Sequence, residues 1–304
     1  MTPKGKPQIS MREFCAAPRI NLIIFRRETK MAIKRKREWF DDDTFWRDLY
    51  PFMFPKERFA DTSAEIQKVL SLTAPTGKTA LDMCCGPGRC AIALAQEAFA
   101  VTGVDKTRYL LDKARARARA AKVRIEWVEM DMRDFVRPDS FDLALSMFTS
   151  FGYFDDKTQD LAVLRNLFAS LRPAGVFLMD VVGKEQLAKI FQPTTAELLP
   201  DGTMLVQHHE IFDDWTRVRN EWILLRQGRA KSFKFHHTLY SGQEMRDRLE
   251  QVGFADVRLY GTLDGDKYGL SARRLIAVAT KPGDLGLAQG DRSALRSSAP
   301  SPSR

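Results

Sequence analysis

Long apolar runs are missing from this chain. No stretch approaches the ~18–20 consecutive apolar residues of a membrane span; the most tempting piece, Ile20 to Phe25, is far too short. A secretory signal needs a longer apolar region and a small-residue cleavage site, so export is not expected either. Histidine and cysteine are scarce, with four of each in 304 residues. Cys15, Cys84, Cys85 and Cys90 form no paired C-x-x-C units and have no histidine beside them, which fits small buried thiols better than a metal cluster. The histidines fall as two adjacent pairs, His208-His209 and His236-His237. Neighbours on a strand point to opposite faces, so at most one of each pair faces a given pocket. No metal is expected, and free thiols fit a reducing cytoplasm.

An excess of one charge is missing from the body of the chain. The formal charge is +9, yet residues 1–40 hold eleven Lys/Arg against three Glu. Residues 282–304 add Arg292, Arg296 and Arg304 against Asp284 and Asp291, which leaves 41–281 neutral overall. The tail with Lys34-Arg35-Lys36-Arg37 offers an electrostatic means of holding nucleic acid. Most such tails are merely solvated, and residues 1–38 read as a disordered basic tail. Met31 stands before the basic run as a second candidate start. The Gly/Ser/Ala/Pro-rich stretch 282–304 reads as a disordered tail by composition.

What the chain does have is concentrated between Thr79 and Asp105. Thr79-Ala-Leu-Asp82-Met-Cys84-Cys-Gly86-Pro-Gly88 reads as a strand and a tight turn. An apolar-periodic run from Cys90 to Ala98 follows as a helix, then Phe99 to Asp105 as a second strand tipped by a carboxylate. Open α/β sheets bind nucleoside-bearing ligands beside the carboxyl ends of such strands. Asp105, 17 residues past Gly88, is placed to grip ribose hydroxyls. Gly86-Pro-Gly-Arg-Cys-Ala91 also fits G-x-G-x-x-G/A, which keeps an NAD-dependent dehydrogenase as a lesser alternative. Two residues argue against a pyrophosphate: Pro87 removes an N–H from the turn, and Asp82 brings a negative charge. A cationic nucleoside such as S-adenosylmethionine reverses that judgement.

Asp82-Met-Cys84-Cys-Gly86-Pro-Gly88 resembles the acid-x-Gly-x-Gly-x-Gly turn of the class I S-adenosylmethionine-dependent methyltransferases, small-molecule type. The resemblance covers residues 40–281 and is strongest from Thr79 to Val182. Cys84 stands where the first glycine belongs, and cysteine tolerates φ > 0 poorly, so a slightly different turn is expected. The resemblance implies a doubly wound, mostly parallel seven-stranded α/β sheet of Rossmann-like form, with S-adenosylmethionine as cofactor. It assigns cofactor contacts to Asp82, Cys84, Gly86, Gly88, Asp105 and Met147, and adenine contacts to Asp131 and Met132. The loop Phe148-Thr-Ser-Phe-Gly-Tyr-Phe154 looks like the Phe-x-Ser-x-Gly-Tyr loop of small-molecule N-methyltransferases. It is not the Asn/Asp-Pro-Pro-Tyr loop of enzymes that methylate exocyclic amines of nucleobases.

The remaining segments fill in around this core. Trp39 to Pro55 is dense in aromatics, with N-caps at Asp41-Asp42-Asp43-Thr44 and a helix that Pro51 should end. Residues 39–182 read as a cofactor-binding core with this helical cap, which is either a lid over the cofactor or simple packing. Residues 183–240 read as an inserted antiparallel meander of three β-segments, Met204 to Phe212, Arg217 to Arg226 and Lys231 to Tyr240. Residues 241–281 complete the sheet, starting at the capping box Ser241-Gly-Gln-Glu244. Trp46, Tyr50, Tyr153 and Arg219 are the candidate substrate contacts. The expected function is methyl transfer to a small-molecule N or O nucleophile, with no catalytic base assigned. An RNA methyltransferase, or an RNA-binding protein using the basic tail, is the alternative. The acceptor's identity and the oligomeric state are not written in the sequence.

Overall fold

Near-continuous buried runs in the central strands decide the architecture, because they give the sheet two buried faces. The computed structural model describes residues 37–283; the basic tail before it, with Cys15, and the tail after it lie outside the described residues. The chain enters through helices α1 (Asp43–Met53), α2 (Lys56–Ala60) and α3 (Thr62–Thr73). β1 (Thr79–Met83), α4 (Arg89–Gln96), β2 (Ala100–Asp105), α5 (Arg108–Ala120) and β3 (Glu126–Glu129) follow. Next come β4 (Phe141–Ser146), α6 (Lys157–Ser170) and β5 (Leu171–Val181). These five strands are parallel neighbours in the order β3-β2-β1-β4-β5. The third strand is short, four residues from Glu126 to Glu129.

Alternation along the strands separates two cores. Leu81, Met83, Ala144, Phe177 and Met179 pack on one face of the sheet. Ala80, Leu143, Leu145, Val176 and Leu178 pack on the other. Each large apolar side chain buried in this way contributes about 1.5–3 kcal/mol. Covering both faces with helices is what a parallel sheet requires.

After β5 the chain leaves the sheet. It forms α7 (Lys184–Ile190) and then β6 (Thr194–Leu198), β7 (Met204–Phe212), β8 (Arg217–Arg226) and β9 (Arg229–Thr238). These four strands make a separate antiparallel sheet in sequence order. The expected three segments are present, and β6 is a fourth that its mixed composition, Thr-Thr-Ala-Glu-Leu, does not announce. The chain returns through α8 (Gly242–Val252), whose capping box at Ser241 and Glu244 and left-handed Gly253 both form. β10 (Ala255–Tyr260) and β11 (Leu275–Thr280) then add antiparallel beside β5 to complete seven strands.

Pro51 does not end α1. Asp42 caps the helix through the Thr44 N–H, and the helix runs past Pro51 to Met53. Phe45, Trp46 and Leu49 are buried beneath it, and Phe52 packs edge-on against Trp222 of the second sheet. That packing outweighs the one backbone hydrogen bond the proline removes. Phe45 meets Phe233 and Phe235 in the same way, so the amino-terminal cap and the inserted sheet share one aromatic seam.

Candidate functional site

The turn between β1 and α4 carries three consecutive demands on backbone geometry. Cys84 takes φ 58°, Gly86 53° and Gly88 81°. The cysteine therefore holds the left-handed conformation that glycine favours. Its Sγ lies 3.4 Å from Met132 Sδ. Gly88 faces away from the turn's open side: a Cβ there would stand 2.8 Å from Trp127 and 2.9 Å from Ala114. Its smallness lets α5 and β3 approach.

Two buried carboxylates hold this turn. Asp105, at the tip of β2, accepts the Gly86 N–H through Oδ2 at 2.8 Å and the Thr107 N–H through Oδ1 at 2.8 Å. Asp82 Oδ2 accepts the Ala91 N–H in the first turn of α4 at 3.0 Å. Burial pushes the Asp82 carboxyl up to about 7, with the Ala91 N–H opposing and the nearby Asp105 charge adding to the rise. Burial also raises Asp105, against the Thr107 and Gly86 N–H bonds. The third acid behaves differently. Burial would raise Asp131, but the Arg133 side chain and backbone N–H, together with Lys106, hold it down at about 2. Arg133 Nη2 stands 2.6 Å from it and Lys106 Nζ 3.2 Å.

These residues line one cavity of about 240 Å³ at the carboxyl ends of β1, β2 and β4. Its wall brings together Asp82, Cys84, Gly86, Asp105, Asp131, Met132 and Met147, with Trp46 and Tyr153 above them. Three candidate residues are not in that wall. Gly88 packs between helix and sheet. Tyr50 turns toward Tyr109 and Phe54, with Lys113 and Arg117 over its ring. Arg219 lies on the outward face of β8, ion-paired to Glu210 at 2.6 Å and half-exposed. Strand parity explains the last case, since Trp222, an odd number of residues along, points inward to the cavity instead.

Further wall residues escaped the reading from sequence. Phe40 and Phe154 complete the aromatic roof, and Lys106 crosses from the core to the cap. Its Nζ reaches Asp41 at 2.5 Å as well as Asp131. Its place directly after Asp105 was the available signal. The Phe148 ring carries the guanidinium groups of Arg89 at 3.8 Å and Arg274 at 4.8 Å from its centroid. Phe148 and Thr149 both take positive φ, 59° and 61°. Asp180 fixes them, accepting the Phe148 N–H with its carboxylate at 3.1 Å and the Thr149 N–H with its carbonyl at 2.9 Å. Sparsely populated backbone held in this way is typical of functional loops.

The donor set suits a cationic nucleoside. Two neighbouring buried acids would repel a pyrophosphate, whereas a positive charge relieves both their burial and their mutual repulsion. Met132 and Met147 offer apolar surface for a flat base. No histidine lines this cavity. His208 and His236 lie on the outer face of the second sheet, bonded to Thr194 and Asp155; His209 and His237 line a different cavity.

Known proteins are similar to this chain in sequence and fold. A family model described as a methyltransferase domain matches residues 80–175. The chain is 28% identical over 220 residues to YqeM of Bacillus subtilis (strain 168), a methyltransferase by name, across 70% of this chain and 88% of that one. It is 25% identical over 204 residues to the cypemycin N-terminal methyltransferase of Streptomyces, across 66% of this chain and 82% of that one. A crystal structure of an S-adenosylmethionine-dependent methyltransferase from Clostridium acetobutylicum superposes with a TM-score of 0.67 at 15% identity, covering 79% of this chain and 98% of that one. CalS10, an amino pentose methyltransferase of Micromonospora echinaspora with S-adenosylmethionine bound, superposes with a TM-score of 0.58 at 19% identity, covering 78% and 96%. At these identities the structural likeness concerns the fold.

Proposed function

We propose that this chain, a class I S-adenosylmethionine-dependent methyltransferase, transfers a methyl group to a nitrogen or oxygen atom of a small-molecule acceptor. The observation that carries the reading is the aromatic roof. Phe40, Trp46, Tyr153, Phe154 and Trp222 line the same cavity as Asp82, Asp105 and Asp131. An aromatic-lined cavity of that size admits a metabolite-sized acceptor more readily than a polymer.

We assign Asp105 to the ribose hydroxyls, Asp82 to the amino-acid end with its ammonium, and Asp131 with Met132 to the adenine. Cys84 and Gly86 form the turn beneath, and Met147 lines the floor. When bound, S-adenosylmethionine supplies an electrophilic methyl group on a sulfonium. The rings of Trp46 and Tyr153 offer π-faces to a cation and shut out water. An acceptor lone pair then needs mainly alignment. A base is required only for a nucleophile that arrives protonated. Burial raises the Tyr153 phenol above its ordinary value, so it remains a protonated donor rather than a base. The acceptor reading draws support from the amino pentose and peptide amino-terminal substrates in the names of CalS10 and the cypemycin enzyme. Free thiols at Cys84, Cys85 and Cys90 suit a reducing compartment, and we place the reaction in the cytoplasm. No helix of the described residues is long and apolar enough to cross a membrane.

The test is a methyl-transfer screen of the full chain with methyl-labelled cofactor against small amines, hydroxylated metabolites and RNA. Label should appear in a small molecule. Label in RNA alone would overturn the reading and promote the basic tail to a substrate-delivery device.

A further inference from the structure

A second cavity, of about 300 Å³, lies under the inserted sheet on the far side of the 148–152 loop. Phe148 and Ser150 face the first cavity while Thr149 between them faces the second. Its polar wall is Thr149, Gln192, Thr195, His209, Asn220 and His237, and the rest is apolar, including Ile190, Phe191 and Leu239. No Asp, Glu, Lys or Arg lines it.

Asn220 is the informative residue. It is 4% exposed, and its Oδ1 accepts a hydrogen bond from His209 Nδ1 at 2.7 Å. Its Nδ2 is buried with no hydrogen-bond partner. Turning the amide over would only exchange which of its atoms is left unmatched. A buried amide donor without an acceptor costs about 1–3 kcal/mol, and natural cores hold few of them. Donation to Asn220 Oδ1 also fixes the proton of neutral His209 on Nδ1, which leaves Nε2 as an acceptor. Burial, with the neighbouring His236 and His209 adding to it, pushes His237 down to about 4, so that ring is neutral at physiological pH. The cavity thus offers hydrogen bonds and apolar surface with no carboxylate, ammonium or guanidinium to pair. A charged ligand would lose its hydration there without compensation.

From this geometry we infer that the second cavity is a binding site, separate from the methyl-transfer cavity, for a neutral ring-sized ligand whose carbonyl or hydroxyl oxygen accepts from Asn220. The row His209, Asn220 and His237 supplies its polar recognition, and the Ile190, Phe191 and Leu239 side chains cover its apolar body.

The test titrates the full chain with N-cyclohexylacetamide and, separately, with cyclohexylamine, which is cationic at neutral pH. Binding is followed by nitrogen-15 NMR of the histidine rings, and His208 and His236 on the outer face serve as internal controls. The amide should shift His209 and His237 saturably, and the amine should bind at least tenfold more weakly. Asn220→Leu should weaken the amide at least tenfold and leave sinefungin affinity unchanged. The inference is overturned by absence of a saturable shift with the amide, by equal binding of the two probes, or by shifts confined to His208 and His236. Should Asn220→Leu fail to fold, the contrast between the probes on the natural chain decides alone. No turnover is read, so failure here leaves the methyl-transfer reading intact.

Discussion

Asp82 is a carboxylate that burial leaves partly protonated near neutrality, and this gives it a measurable consequence. A cationic ligand prefers the ionised form, so affinity is lost as the pH falls through about 7. With one such group controlling binding, S-adenosylmethionine affinity should rise about fivefold between pH 6 and pH 7. Asp82→Asn should flatten that profile; an unchanged slope in the variant would detach Asp82 from the ligand. The same shift works in reverse on stability without ligand. The folded state holds the Asp82 proton to about 7 while the unfolded chain releases it near 3.8, so this contribution is lost as pH climbs between those values. Cys84 makes a second case. At φ 58° a β-branched side chain is strained, so Cys84→Val should cost about 1–2 kcal/mol in denaturant unfolding. Cys84→Gly should stay within about 1 kcal/mol of the natural chain, because relieved strain offsets the added freedom of the unfolded glycine. Equal stability of the two variants would contradict the left-handed turn.

The strand–turn–helix unit at β1 and α4 was legible because its signals are local: a buried apolar run, small residues at the turn, and an acid at the next strand's tip. Asp82, Asp105 and Met132 reached one cavity for that reason. What is assembled from distant segments was not legible. Nothing in Arg217-Val-Arg-Asn-Glu-Trp says which alternate set faces inward, and a charge at Arg219 drew attention that parity gives to Trp222. Helix α1 continues past Pro51 because Phe52 finds Trp222 about 170 residues away. The 148–152 loop depends on a contact of the same long-range kind. Gly152 has φ 89°, and a Cβ there would lie 2.5 Å from the Thr238 carbonyl oxygen of β9, while its own carbonyl accepts the Thr238 N–H at 2.7 Å. Gly152→Ala should therefore destabilise the protein by ~2 kcal/mol or more. A variant with unchanged unfolding midpoint would show that loop and inserted sheet are not joined here.

At the scale of the molecule, three bodies converge on the strand tips: the parallel sheet with its acids, the aromatic cap, and the inserted sheet. Lys106 ties the first to the second through Asp131 and Asp41, and the Phe45, Phe52, Trp222 and Phe235 rings tie the second to the third. The sheet presents carboxylates where a cationic nucleoside would sit, and the other two enclose whatever approaches it. At this junction S-adenosylmethionine is proposed to lie with Asp105 on its ribose. Charge-assisted hydrogen bonds of that kind are worth roughly 1.5–3 kcal/mol. Calorimetric titration of S-adenosylmethionine into the natural chain and into folded Asp105→Ala is the direct measurement. The expected loss is about 2 kcal/mol, roughly thirtyfold in affinity, and equal affinity in the two proteins would remove Asp105 from the site.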